Sequence, residues 1–437
     1  MTMAASTLTM HRWASVAAGV GIITYTVTGI AFARHATRVV FNRQLTSFTT
    51  VIGLLRVTRP LQIAWRLATA RLRCTPRLYI LGEVRCGTTT LASLLRARLG
   101  LHGPFTPWDH PLANEKESFF FSGHYFGLVS PRMYSMCFPL RLVSWFHRRV
   151  LARPIVSFDA CASYLSSPWL PPLLRRTLCL AHPSSPLPVL VVCLREPVSQ
   201  HVSWWRLEQG GMAWGTSMGM GASWLGPPSR LERYPPATLR EAVDLSRSEA
   251  VEEMWRKAAE LPLTRPERPA DGGGDDNVDG GAFLPEWAMP FPNGQLSAFD
   301  SMGRYADSIE RWLAVFPREC FVFTTVDEIG SDPAAVLTRI VERCEALGVE
   351  LPAAPPPPPH RHSHGALAAA SASAPCGAWG APPPRLNESA PIDRALEPDT
   401  ATLLELGAYY KPHNERLFQL LGVNLGWHRD ERFFWYR

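Results

Sequence analysis

The fold of this chain is indicated by residues 77–99, which read RLYILGEVRCGTTTLASLLRARL. The run at 77–81 has the length and apolar character of a buried strand. A turn rich in Gly and Thr follows, and the leucines after it recur at helical spacing, which makes one helix face apolar. These leucines are Leu91, Leu94, Leu95 and Leu99. The stretch therefore predicts a strand, a loop of the size that holds a phosphate, and a helix.

The loop between this strand and this helix resembles a Walker loop without its lysine. Gly82 and Gly87 have the spacing of GxxxxGK[ST], but Thr88 stands at the Lys position. In nucleotide hydrolases that Lys reaches the β- and γ-phosphates, so its absence argues against hydrolysis of ATP or GTP. The backbone cradle and the cation of Arg85 are kept, and they predict an anion site. The alternative is an ordinary strand-to-helix turn.

Strands and helices alternate further along the chain. The apolar runs at 189–194 and 320–325 are typical of buried parallel strands. The first run ends at Arg195, and a helix is predicted from Val198 onward. A helix after the second run is predicted to begin at Asp332, with Asp as its N-cap and Pro in its first turn. This alternation predicts an α/β fold with a central parallel sheet, in which ligands bind at the carboxyl ends of the strands.

The N-terminal part of the chain differs from the rest in charge. Met1 to Gly82 contains ten Arg but no Lys, Asp or Glu. Residues 13–33 are uncharged throughout and match the ~20 residues that span a hydrocarbon core, so they predict a membrane anchor between a short tail at 1–12 and a basic stem at 34–76. An acid-free, Arg-rich N-terminus is also typical of an organelle transit peptide, and the flanking charges leave the topology open.

The composition excludes several broad classes of protein. With 437 residues, 46% of them hydrophobic, the chain is neither a small disulfide-stapled scaffold nor wholly disordered. Its 40 Pro are nearly twice the usual ~5%, and flexible insertions are predicted at about 266–281 and 352–384, which leaves one domain at 77–437. The net charge of +6 is too small to indicate a nucleic-acid partner. Nine Cys without a CxxC pair or zinc-ligand spacing predict no metal site.

Five motifs occur in an order that resembles a known enzyme family. They are GxxRxGTTxL at 82–91, KESFFF at 116–121, LREP at 194–197 with Ser203 eight residues past the Arg, GRYADSIERWLAVFP at 303–317, and YYKPHNERLFQLLG at 409–422. Together they resemble the sulfotransferases that use 3′-phosphoadenosine 5′-phosphosulfate (PAPS). The greatest similarity is to the Golgi carbohydrate group that includes the heparan sulfate sulfotransferases. The resemblance covers about 77–427 apart from the insertions.

This resemblance implies a P-loop-like, three-layer α/β/α sulfotransferase domain with PAPS as co-substrate and no metal. It implies Glu117 as the general base, with Glu115 as the competing candidate, and Arg85 as the cation beside the leaving phosphate. The implied PAPS-binding residues are Arg85, Cys86, Gly87, Thr88, Thr89, Thr90, Arg195 and Ser203. Of these, Arg195 and Ser203 are expected to bind the 3′-phosphate, since the planar fork of Arg grips two phosphate oxygens. On the acceptor side the implied residues are Lys116, Ser163 and Tyr164.

The implied reaction is sulfuryl transfer from PAPS to a hydroxyl or amine of a glycan. A single-pass type II Golgi membrane protein is expected, with Asn387 as a glycosylation candidate. The alternatives are a lipid, small-molecule or tyrosine acceptor, or a membrane-anchored binding protein that has lost turnover. The last is favoured by Ala160, where heparan sulfate enzymes commonly carry Lys, and by the lack of a visible Lys-Gly-Arg loop near the C-terminus. The oligomeric state is left open.

Two side-chain types invite further interpretations. Cys86 lies at the start of the helix after the loop, where a thiolate would be favoured. A small filler residue is nevertheless the preferred interpretation, and a reactive thiol is the alternative. Trp204, Trp205 and Trp214 either stack on sugar rings or pack in the core.

Overall fold

A computed structural model describes ten ranges of the chain. They are 62–105, 116–118, 120–121, 131–162, 164–168, 170–181, 187–206, 238–247, 302–352 and 398–436. The anchor predicted at 13–33, the insertion at 266–281, nearly all of the insertion at 352–384, and Asn387 lie outside them. Within these ranges no helix combines the length and apolar character that crossing a membrane requires.

Four parallel strands form the centre of the fold. They are β1 (Leu78–Gly82), β2 (Phe158–Cys161), β3 (Val189–Leu194) and β4 (Phe321–Thr325), in the spatial order β2-β1-β3-β4. Every residue of β1, β2 and β3 is buried, which explains their lack of polar alternation. The register places Leu81 opposite Cys161 on one side and Gly82 opposite Cys193 on the other. The α/β fold with a central parallel sheet is therefore confirmed.

Helices connect and cover these strands. They are α1 (Thr88–Leu99), α2 (Arg141–Arg149), α3 (Leu170–Ala181), α4 (Leu239–Ser246), α5 (Tyr305–Leu313), α6 (Val326–Ser331), α7 (Pro333–Ala346) and α8 (Thr400–Leu421). Residues 62–68 and 197–206 are also helical. The α1 helix packs against β1 and β2 through the predicted leucine face, and α7 packs against β3 and β4.

The direction of the crossovers reverses between β1 and β3. In the order β2-β1-β3-β4, the chain moves from β1 to its neighbour β2 in one direction across the sheet, and from β3 to its neighbour β4 in the opposite direction. Right-handed crossovers in opposite directions place the connecting helices on opposite faces, as a three-layer fold requires. The loops that follow β1 and β3 therefore border the crevice in which open α/β sheets bind ligands. These two loops carry Arg85 and Arg195.

Candidate functional site

The loop after β1 is shaped by glycine and by an unusual backbone angle. Gly87, the N-cap of α1, has φ +82°, and Arg85 has φ +68°, which is rare for a residue with a side chain. A Cβ on Gly82 would lie 2.7 Å from Cγ2 of Thr88, so a side chain there would force the loop away from the helix. The first backbone bond of α1 joins Leu91 N to Gly87 O at 3.0 Å. The three amides before Leu91 therefore have no partner within the helix and suit an anion.

Arg85, Arg195 and Ser203 come together at this loop. The Arg85 Nε donates to Ser203 Oγ at 2.8 Å, and Arg195 Nη1 donates to the backbone oxygen of Arg85 at 3.0 Å. All three residues are half-buried. Burial and the nearby charge of Arg195 lower the pKa of Arg85, which shows that two like charges are held close together. A bound polyanion would relieve that repulsion.

Gln200 and Tyr305 form hydrogen bonds to residues of the loop, and the sequence analysis did not predict either of them as a site residue. Gln200 Nε2 donates to Val84 O at 3.1 Å, and the Tyr305 hydroxyl donates to Gln200 Oε1 at 3.2 Å. The same hydroxyl lies 3.4 Å from Cys86 Sγ. The Cys86 side chain is fully buried, and burial raises its pKa to about 12. Burial therefore favours the small filler residue over the alternative of a reactive thiolate. Only the backbone of Cys86 can face a ligand.

Glu83 places an acid within the loop. Its carboxyl group is fully buried, and Oε1 accepts from Ser166 N at 2.7 Å. Burial raises the pKa of Glu83 well above its ordinary value, which favours the neutral acid. The loop is thus joined to residues 164–168 without placing a negative charge next to an expected phosphate.

A second cluster holds residues 116–118 against β2. Asp159 accepts from Ser118 N at 3.0 Å, Ser118 Oγ at 2.7 Å, Tyr134 OH at 2.6 Å and Tyr164 OH at 2.9 Å. Ala160 N donates to Lys116 O at 2.8 Å. The side chains that form this cluster are all buried. Glu117, which lies between Lys116 and Ser118, is half-buried. The cluster therefore presents Glu117 from a fixed backbone.

Lys116 adds a buried cation next to Glu117. Its Nζ donates to Glu117 Oε1. Burial lowers the pKa of Lys116 to about 8, and Cys161, Asp159 and Cys193 are close enough to influence it. Cys161 is the last residue of β2, and Cys193 is the next-to-last residue of β3, where it pairs with Gly82. Both therefore lie at the carboxyl edge of the sheet, and the ammonium close to them is at the same edge as the anion loop.

The C-terminus reaches the element that carries Arg195 and Ser203. Glu196 caps the helical residues 197–206 by accepting from Val198 N at 2.9 Å and Ser199 N at 2.6 Å. Its Oε1 also accepts from the Tyr436 hydroxyl at 2.5 Å. Tyr436 thus stabilises the start of this helix through a contact between residues that are distant in sequence. None of the sequence motifs predicts this contact.

Other predicted residues are placed differently from their expected roles. Tyr164 is buried with its hydroxyl on Asp159, so it supports residues 116–118 and does not face an acceptor. Trp204 and Trp205 are buried in the core and cannot stack on a sugar. Ser163, Glu115 and Trp214 lie outside the described residues.

Comparisons with known proteins add little to this geometry. No known family profile and no curated protein sequence matches the chain. Among solved structures, a sulfotransferase from Alicyclobacillus acidocaldarius is similar over 83% of this chain and 100% of its own, with 18% identity and a TM-score of 0.36.

Proposed function

We propose that this protein is a PAPS-dependent sulfotransferase that transfers the sulfuryl group to a hydroxyl or amine of a glycan. The observation that carries the proposal is the convergence of Arg85, Arg195 and Ser203 on the loop before α1. The glycan acceptor and residence in the Golgi membrane as a single-pass type II protein rest on the motif resemblance alone and are part of the proposal.

The anion loop fits a nucleotide that carries two phosphate-containing ends. The amides at the start of α1, with the hydroxyls of Thr89 and Thr90, are suited to the 5′-phosphosulfate. Arg195 and Ser203 lie after the neighbouring strand, where they suit a 3′-phosphate. Because the Arg85 side chain reaches Ser203, it links the two ends. Burial, and secondly the charge of Arg195, lower the pKa of Arg85. A doubly phosphorylated ligand would offset both the lost hydration and the repulsion between these two cations.

The remaining residues supply proton transfer and charge. PAPS, when bound, supplies an activated sulfuryl group. Glu117 accepts the proton of the attacking hydroxyl or amine from its half-buried position. The ammonium of Lys116 lies at the same sheet edge and stabilises negative charge there. Lys116 thereby replaces the cation that Ala160 lacks, which favours turnover over a protein that only binds.

Nucleotide competition tests the cofactor site. The purified full chain is titrated with 3′-phosphoadenosine 5′-phosphate, ADP and ATP. We expect the 3′-phosphorylated nucleotide to bind most tightly, and Arg195→Ala to reduce that preference over ADP roughly tenfold or more, as loss of a charge-assisted bond predicts. Arg343→Ala, which removes a half-buried arginine bonded to Glu319 O, is the matched control. Tighter binding of ATP would contradict the proposal and favour a kinase.

Transfer itself is tested with radiolabelled PAPS and a panel of glycan, lipid, small-molecule and tyrosine acceptors. Glu117→Gln is expected to abolish transfer while nucleotide binding persists. Transfer only to a non-glycan acceptor would correct the acceptor class. Binding without transfer to any acceptor would show a protein that has lost turnover.

A further inference from the structure

Helix α2 exposes an apolar face on the surface of the domain. None of its residues is buried. Leu142, Trp145 and Phe146 are 58%, 56% and 45% exposed, and Val150 and Leu151, just past the helix end, are 58% and 47% exposed. The spacing of Leu142, Trp145 and Phe146 places them on one side of the helix. These five residues, called the α2 surface below, form an apolar patch of the kind that marks an interaction site.

Only positive charge surrounds the α2 surface along the chain. Arg141, Arg148, Arg149 and Arg153 flank it, and no Asp or Glu occurs between Glu117 and Asp159. Arg148 forms an ion pair with Glu350, and both side chains are more than half exposed. A pair so exposed is easily exchanged for another anion, since surface ion pairs contribute little to stability.

The start of α2 is joined to the end of the predicted stem. Leu140 pairs with Arg73 in an antiparallel bridge, and Cys74 N donates to Pro139 O at 2.9 Å. Arg141 Nε donates to Arg73 O at 3.0 Å. Residues 73 and 74 lie at the end of the basic stem that the sequence predicts to follow a membrane anchor. The start of α2 is therefore bonded to residues near the N-terminal end of the first described range, which the predicted anchor precedes in sequence.

We infer that the α2 surface lies on a phospholipid bilayer. Trp side chains favour the boundary between headgroups and acyl chains, where the apolar ring is buried and the indole N–H stays in contact with water. Phe and Leu beside Trp extend the apolar face that enters this boundary. Arg guanidinium groups beside them bind lipid phosphates in the planar manner they use for other phosphates. A short helix with exposed Leu, Trp and Phe, whose charged neighbours along the chain are all Arg, matches an interfacial helix, whose binding increases with anionic lipid. The inference does not depend on the proposed sulfotransferase activity, but it rests in part on the membrane residence that belongs to the proposed function.

Photo-crosslinking from defined positions tests this inference. The full chain is inserted into nanodiscs of phosphatidylcholine with phosphatidylserine, and Trp145 is replaced by p-benzoylphenylalanine. The same replacement at Leu404, which is 44% exposed on α8, is the matched control. We expect lipid adducts from position 145, identified by mass, at a yield at least severalfold above that from position 404. Absence of lipid adducts at 145, equal yields at both positions, or a protein adduct at 145 would each overturn the inference.

A charge variant tests the contribution of the basic rim. Arg148→Glu combined with Arg149→Glu replaces two exposed cations with anions, so folding is expected to persist. The adduct yield from position 145 is expected to fall severalfold, and more so in discs containing phosphatidylserine than in phosphatidylcholine alone. A yield that is unchanged in both lipids, with circular dichroism also unchanged, would contradict a role for these arginines at a bilayer.

Discussion

The Ser118 hydroxyl lies 2.7 Å from Asp159 Oδ2, while the backbone amide of the same Ser118 donates to Asp159 Oδ1 at 3.0 Å. Asp159 belongs to the buried strand β2, and Ser118 directly follows Glu117, the proposed base. A single carboxylate thus fixes the backbone beside the proposed base to the central sheet. It does so from a fully buried position in which each hydrogen bond has little competition from water.

Asp159→Asn is expected to reduce turnover more than nucleotide binding. The Asn amide nitrogen cannot accept from Ser118 or from the tyrosine hydroxyls, so at least one buried donor loses its partner. The unfolding free energy should fall by about 1–3 kcal/mol, and misplacement of Glu117 should lower kcat by roughly 10²-fold. Steady-state kinetics and denaturant unfolding measure the two effects.

Tyr134→Phe, which removes a single donor to the same carboxylate, is the control and should lower the unfolding free energy by only about 1 kcal/mol. Loss of nucleotide affinity equal to the loss of kcat would argue against a positioning role.

Glu83→Gln is expected to make stability less dependent on pH. Burial raises the folded-state pKa of Glu83 above its ordinary 4.5, so the folded protein holds a proton that the unfolded chain has released. The stability contributed by that proton is fully present below about 4.5 and decreases as pH rises toward the folded pKa. Gln has the shape of the neutral acid and no such dependence, so its advantage over wild type should grow with pH. Unfolding curves at several pH values measure this, with the exposed Glu342→Gln as the control for loss of a carboxylate. A constant difference between Glu83→Gln and wild type would contradict the neutral acid.

Cys86 is expected to resist alkylation in the folded protein. Its thiol is fully buried and burial raises its pKa to about 12, whereas Cys179 is exposed. Treatment with iodoacetamide followed by mass spectrometry should show modification of Cys179 well before that of Cys86, which should be modified only after denaturation. Rapid modification of Cys86 that 3′-phosphoadenosine 5′-phosphate prevents would instead show an open, reactive loop.

Much of the sheet could be predicted because apolar strands and helix starts leave local signals. β3 spans the residues that the pattern at 189–194 indicated. Asp332 caps α7 by accepting from Ala335 N at 3.0 Å, as the Asp-Pro pair predicted. β2 was not predicted as a strand, because it has only four residues and its second, Asp159, is charged. The burial of the Asp159 carboxylate is explained by its hydrogen-bond donors, which come from other segments of the chain and leave no signal in the sequence of β2.

The site was predictable only where a motif is local. The glycine loop and Arg195 have sequence signals, and the fold brings them together. Gln200 and Tyr436 are distant from the loop in sequence and lie in none of the quoted motifs, so their contacts could not be predicted. Tyr305 belongs to the motif at 303–317, but that motif does not indicate that its hydroxyl reaches Gln200 and Cys86. The alternatives at Cys86 could not be decided from the sequence for the same reason, since its thiol lies against Tyr305, a residue that is distant in sequence.

Lys116 gives the proposed reaction an alkaline limit. Burial lowers its pKa to about 8 from an ordinary 10.5, so the folded protein loses the ammonium as pH rises through about 8. If that cation stabilises charge developing at the anion loop, kcat should decrease above this pH. Lys116→Arg keeps a cation at all accessible pH values and should shift the decline upward. Lys116→Met should lower kcat by roughly 10²-fold, the usual effect of removing one such group, and should abolish the alkaline limb. The test is the pH profile of kcat for wild type and the two variants. If Lys116 were only structural, the alkaline decline of kcat would occur at the same pH in Lys116→Arg as in wild type.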